Sequence, residues 1–197
     1  MFPLTHLYIA EKYFKKLTNE IKFGSVLPDF LTISPNFSII ESHKRLLNFE
    51  PKQFSTAWNL HVELDEYSEQ KYFYPLIPKK LKHEYGDYLG HIFLETAFDY
   101  ILRDKDIYFD PPILDDEIID RLGLYFNKDF SIIKPTIQLF LTWEKESYMD
   151  NLAYSLMYIG GVNQHVLTRS QIDKIISDCK SILPDHNELL DDFLSIF

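Results

Sequence analysis

The sequence predicts an irregular, multi-helix all-α fold in a single domain. Three observations carry that reading. Apolar residues recur at helical spacing along most of the chain. Only 6 of the 197 residues are Gly, and alternating apolar and polar runs bounded by turn dipeptides are scarce, which argues against a sandwich or barrel. No Gly, Ser or Pro-rich linker and no fixed-period repeat divides residues 1–197. A chain of this length, 46% hydrophobic and 16% aromatic, has the material for a packed core and is not intrinsically disordered.

In chain order, a first helix is predicted at about 4–21, where Leu4, Leu7, Tyr8, Phe14, Leu17 and Ile21 form an apolar stripe and Lys12, Lys16 and Glu20 face outward. Residues 23–37 contain one Gly and two Pro and are expected to be an extended, largely buried loop. A short helix near 39–48 precedes Pro51, and a longer one at 54–73 draws apolar surface from Trp58, Leu60, Leu64 and Tyr67 before Pro75 and Pro78 stop it. The helix expected at 83–104 carries Leu89, Phe93, Leu94, Ala97, Phe98 and Ile101 around much of its circumference, which implies burial on several sides. Further helical patterns follow near 113–127, 130–142, 145–160, 168–182 and 186–196, punctuated by Gly160-Gly161 and Pro184.

The charge balance narrows the function. With 20 Lys and Arg against 30 Asp and Glu, the net charge of −10 disfavours nucleic acid or an anionic membrane surface as partner. The single Cys179 allows no internal disulfide and no thiolate-rich zinc site. Any metal must therefore be held by His and carboxylates. No run approaches a membrane span and no signal peptide is seen, so the expected setting is a soluble, cytoplasmic one.

Five of the seven His, namely His6, His43, His61, His83 and His91, lie in the first 91 residues. His61-x-x-x-Asp65 places imidazole and carboxylate one above the other on a helix, and His91-x-x-x-Glu95 repeats the geometry thirty residues later. A single such pair is as readily a surface ion pair or a hydrogen-bonded core His. Two pairs, one inside a helix that reads as buried, point to a metal, because a buried carboxylate without a partner costs several kcal/mol. His and carboxylate side chains on facing helices supply the N/O coordination of zinc, manganese or iron. His6 among Leu4, Leu7 and Ile9, Asp29 in the G-S-V-L-P-D segment, and His43 beside Lys44 and Arg45 are further candidates. The two cations are either solvated or placed to hold a phosphate.

Taken in order, His6, Gly24-x-x-x-Pro28-Asp29, Ser42-His43, His61-x-x-x-Asp65 and His91-x-x-x-Glu95 resemble the zinc-dependent phospholipase C family, which belongs with the single-strand-specific zinc nucleases. The resemblance covers about residues 3–100. It implies an all-α metallohydrolase with two or three divalent ions, zinc foremost, cleaving a small phosphodiester or phospholipid headgroup. It further implies that Asp29, His43, His61 and Asp65 hold one ion, that Asp65 bridges to a second held by His6, and that His91 and Glu95 hold a third, with His83 either joining them or lying on the surface. Asp29 is also the candidate general base, provided one of its oxygens faces the attacking water, and Lys44 or Arg45 the candidate phosphate contact. The chain departs from secreted members in starting Met1-Phe2-Pro3 where they have a processed Trp.

Two other classes stay open: a different helical metallo-phosphohydrolase, such as an acyl-carrier-protein phosphodiesterase or an HD-like enzyme, and a non-catalytic helical metal-binding module. The adjacent His-Asp pair of the HD type is missing, as are the P-loop, dinucleotide, nucleophile-elbow and H-E-x-x-H signatures. Cys179 reads as a packed structural residue. Trp143, Tyr148, Tyr154 and Tyr158 either line a pocket or belong to the core.

Overall fold

The computed structural model describes residues 3–32, 37–130, 134–140, 147–162, 164–183, 188, 191–192 and 195. Among them there are helices and no strand, so the fold is all-α. The contacts gather into two compact units, one made of residues 6–63 and 110–144, the other of residues 1–5, 64–109 and 145–197.

The first unit contains most of α1 (Pro3–Phe14), α2 (Asn19–Thr32), α3 (Ile39–Ser42), the larger part of α4 (Lys52–Ser68), α7 (Asp116–Phe126) and α8 (Lys134–Phe140). The predicted helix at 4–21 is broken at Lys15, whose φ of 62° takes the chain through the left-handed region into α2. Of the predicted extended loop at 23–37, residues 23–32 are instead helical, since α2 runs through both Gly24 and Pro28, while 33–36 lie outside the described residues. The reason is tertiary. A Cβ on Gly24 would lie 2.4 Å from the Phe54 carbonyl oxygen, so Gly is required for the close approach of α2 to α4. The short helix expected at 39–48 closes after four residues, capped by reciprocal bonds between Ser38 and Glu41. Ala10, Ile21, Ala57 and Leu60 pack together with Phe14 and Leu17 against them. A second apolar cluster joins Phe49, Phe54 and Trp58 to Tyr125 and Phe126.

In the other unit the central element is α6 (Lys79–Asp104). Gly86, at φ 78°, breaks it into two helical runs, a conformation open to Gly and costly to other residues. The second run buries Leu89, Phe93, Leu94, Ala97, Phe98 and Leu102, in keeping with the expected burial on several sides. It packs against α9 (Tyr148–Val162) and α10 (Arg169–Lys180). The fully buried Asp99 on α6 accepts from Leu4 N (3.1 Å), Thr5 N (2.8 Å), Thr5 Oγ1 (2.5 Å) and the Tyr148 hydroxyl. Beyond α4 the chain passes through a π-helical turn, Glu69–Phe73, into α5 (Tyr74–Leu76). Cys179 is fully buried on α10, as a structural thiol should be. The helix expected at 186–196 falls largely outside the described residues, as does Trp143. No described helix is long and apolar enough to cross a membrane.

Candidate metal centre

Four side chains from four helical elements meet in the first unit: His6 from α1, Asp29 from α2, His43 at the C-terminal cap of α3 and His61 from α4. Local hydrogen bonding places His61 and the segment that bears His43. Pro28 has no N–H to give the carbonyl of Gly24, and the next carbonyl, that of Ser25, accepts a bond from His61 Nδ1 at 2.7 Å. The segment bearing His43 is tied to α4 by Trp58 Nε1 donating to the Lys44 carbonyl (3.0 Å) and by Asn59 bonding both backbone groups of Leu47. His43 Nδ1 lies 3.0 Å from Ser42 Oγ.

Because a carbonyl only accepts, His61 carries its proton on Nδ1, and the lone pair of Nε2 faces inward. There it meets His43 Nε2 at 3.4 Å and Asp29 Oδ1 at 3.6 Å. His43 Nε2 is 3.6 Å from the same Oδ1, and His6 Nε2 is 3.7 Å from Asp29 Oδ2. These separations are long for hydrogen bonds. They match the spacing of ligands around one ion: two atoms each about 2.1 Å from a tetrahedral zinc lie about 3.4 Å apart. The donor set therefore fits a divalent metal. Burial opposes ionisation of Asp29, yet neighbours including His61 and His43 hold its carboxyl well below the usual carboxylate range. Asp65 follows His61 by one turn of α4 and is half-buried.

Both Asp29 oxygens are turned toward His, Oδ1 toward His43 and His61, Oδ2 toward His6. This geometry lets Asp29 serve as a ligand through either oxygen.

The other unit holds a second group. Glu69, His91 and Glu95 offer ligand atoms within 4.8 Å of one another, and His91 Nε2 is 3.4 Å from Glu69 Oε1. His91 repeats the tautomer logic, its Nδ1 donating to the Asp87 carbonyl at 3.2 Å. His91 and Glu95 are both 5% exposed, whereas the Glu69 side chain is 28% exposed, so the group opens to solvent on the Glu69 side. The rings of Tyr74 and Tyr88 flank His91 at 5.1 and 5.4 Å. Burial, then the charges of Glu69 and Glu95, push the Tyr74 hydroxyl up to about 12.

Of the residues expected to join the chemistry, His83 is exposed on α6 before the Gly86 break and belongs to neither group. Glu69, which is not among the sequence-predicted ligands, belongs to the second group. Its signal is a second step of four residues, His61 to Asp65 to Glu69, along one helical face. Lys44 lies with its ammonium 4.5 Å from the Tyr125 ring, a cation–π contact, and Arg45 is exposed. Tyr148 is core through its bond to Asp99, while Tyr154 and Tyr158 are exposed on α9. The described residues thus hold two groups of His, Asp and Glu able to bind a metal ion. No family model matches the chain, and neither curated proteins nor solved structures provide a match.

Proposed function

We propose that the protein is a metal-dependent hydrolase that cleaves a small phosphodiester, such as a phospholipid headgroup linkage, with zinc as its ion. The observation that carries this reading is the pair of imidazoles whose Nδ1 atoms are bonded to main-chain carbonyls, so that each Nε2 lone pair points into a carboxylate-containing cluster. The order of these residues along the chain, which resembles that of the zinc-dependent phospholipases C, supports the phosphodiester class. His6, Asp29, His43 and His61 would hold an ion at the first centre, and Glu69, His91 and Glu95 one at the second. Divalent ions held there would acidify a coordinated water and offset charge on the phosphoryl oxygens.

The chain's own residues supply the rest. Asp29 spans the first centre with one oxygen toward each side, fixing the spacing of His6 from His43 and His61. Ser25 and Asp87 lock the tautomers through their backbones. His43, 18% exposed in its side chain, and Glu69 leave access for substrate from solvent, while His6 and His61 are closed off. That closure is also what favours the second reading, a metal site that holds the fold and turns nothing over.

The test is elemental analysis of protein purified without chelator, with hydrolysis of bis(p-nitrophenyl) phosphate and of phosphatidylcholine vesicles followed in parallel. Two or more ions per chain, at least one of them lost in His61→Ala/Asp65→Ala, together with turnover, support the hydrolase. Stoichiometric metal without turnover on either substrate leaves the structural site. Metal-free protein of unchanged fold overturns both.

A further inference from the structure

The two groups differ in their donor atoms, and donor atoms select among divalent ions. The first brings three imidazoles, those of His6, His43 and His61, each with its Nε2 within 3.7 Å of an Asp29 oxygen. Asp65 adds a second acid there, its carboxylate within 4.8 Å of ligand atoms of His6, Asp29 and His61, and nitrogen donors still outnumber the acids. The second group reverses the proportion, with the single imidazole of His91 between the carboxylates of Glu69 and Glu95. Imidazole suits borderline ions such as zinc, whereas carboxylate and water suit hard ones such as manganese and magnesium.

Access to water separates the groups further. His6, Asp29 and His61 are all buried, so an ion among them draws a tetrahedral shell from the protein, as structural zinc does. Hard ions prefer octahedral shells, and magnesium keeps several of its waters. The second group gives three protein ligands and is open on the Glu69 side, which leaves positions for water. Its nitrogen is fixed for the purpose, since His91 Nδ1 donates to the Asp87 carbonyl and Nε2 stands 3.4 Å from Glu69 Oε1. Zinc exceeds manganese in absolute affinity at any such site. The difference therefore lies in the margin, wide over three imidazoles and narrow over one, so that manganese in excess over free zinc fills the second group and not the first.

We propose that the two groups load with different ions, the imidazole-rich first group with zinc and the Glu69–His91–Glu95 group with a hard divalent cation of the manganese class. The proposal rests on the metal reading given above and refines the ion at the second group. Glu69 sets the preference. It supplies a carboxylate at the solvent edge, and Glu69→His would turn the donor set into two imidazoles and one carboxylate, widening the margin for zinc.

The experiment strips the full chain with chelator, removes the chelator, adds a single equivalent of Zn2+ and then titrates with Mn2+. Bound Mn2+ is read from the loss of the free-ion EPR signal, and retained zinc from elemental analysis after gel filtration. Wild type is expected to keep its zinc and to bind a single Mn2+ per chain. Glu69→Gln, close in shape and at the open edge, should weaken Mn2+ about tenfold or more and leave the zinc in place. Glu69→His should weaken Mn2+ likewise and bind a second equivalent of Zn2+ more tightly than wild type does. Circular dichroism checks the fold of each. Zinc-loaded wild type that binds a second Zn2+ but no Mn2+ overturns the proposal, as does Mn2+ that displaces the first zinc. Mn2+ uptake indifferent to both Glu69 variants overturns its placement in this group. Wild type that binds neither ion overturns the metal reading of the clusters instead, a distinguishable failure.

Discussion

Asp99 sets four donors against complete burial, and the balance between them is measurable as a pH dependence. Burial raises the Asp99 carboxyl, the donors from Thr5, Tyr148 and Leu4 lower it, and the net result is a pKa of about 6. An unfolded chain titrates the same group near its ordinary value of about 3.9. Between those values the folded protein binds more protons than the unfolded one, so stability must fall as pH rises through the window and level off above it. A displacement of about 2 units corresponds to on the order of 3 kcal/mol. Asp99→Asn removes the titration. It also sets an amide N–H against the N–H of Leu4 or Thr5, since both carboxylate oxygens accept from the backbone, but that cost is constant with pH. The assay is urea denaturation by circular dichroism at about pH 4, 5, 6 and 7, with chelator present so that ion binding does not enter. The stability of wild type minus that of the variant should decline by about 2 kcal/mol across the series, the rest of the change lying below pH 4. A flat difference refutes the coupling of burial to stability, and a rising one means that the four donors outweigh burial.

Gly24→Ala should cost about 2 kcal/mol and lower Tm by roughly 4–8 °C, because the new Cβ meets the Phe54 carbonyl oxygen, which is backbone and cannot step aside. Ala otherwise gains about 1 kcal/mol over Gly inside a helix, so a rise in Tm would contradict the close approach. Burial pushes the Cys179 thiol up to about 12, and a disulfide reagent at mildly alkaline pH should leave it unmodified until denaturant is added; rapid labelling of the native protein would count against that. His61→Ala should leave the Glu69–His91–Glu95 group able to bind metal, so elemental analysis should find ion content reduced rather than abolished.

The helical class and the positions of α4, α6, α9 and α10 are readable from apolar spacing because their buried faces are continuous, as with Leu89, Phe93 and Leu94. The stretch 23–32 is misread for a physical reason: Gly24 and Pro28 are breakers in isolation, but here a missing Cβ and a missing N–H are what packing and the Ser25–His61 bond call for. The ligand candidates divide in the same way. His61 and His91 announce themselves through their i, i+4 acids, and His6, Asp29 and His43 through their order along the chain. The gathering of these last three around His61 depends on contacts between helices that no local pattern encodes. Glu69 is legible only as a continuation of the His61–Asp65 face, and Tyr74 not at all, because its position depends on a turn with five residues where an α-helix has four.

The main-chain acceptors that lock His61 and His91 also shape how this protein tolerates change. At position 87 the essential atom is a carbonyl oxygen that every amino acid possesses, while the Asp87 side chain is turned to solvent and Lys82. A scan of all substitutions should therefore find position 87 nearly silent beside an intolerant position 91, even though the two residues share one hydrogen bond. Family comparison alone would pass over such a residue, since its role is written in the backbone and leaves its identity free to drift.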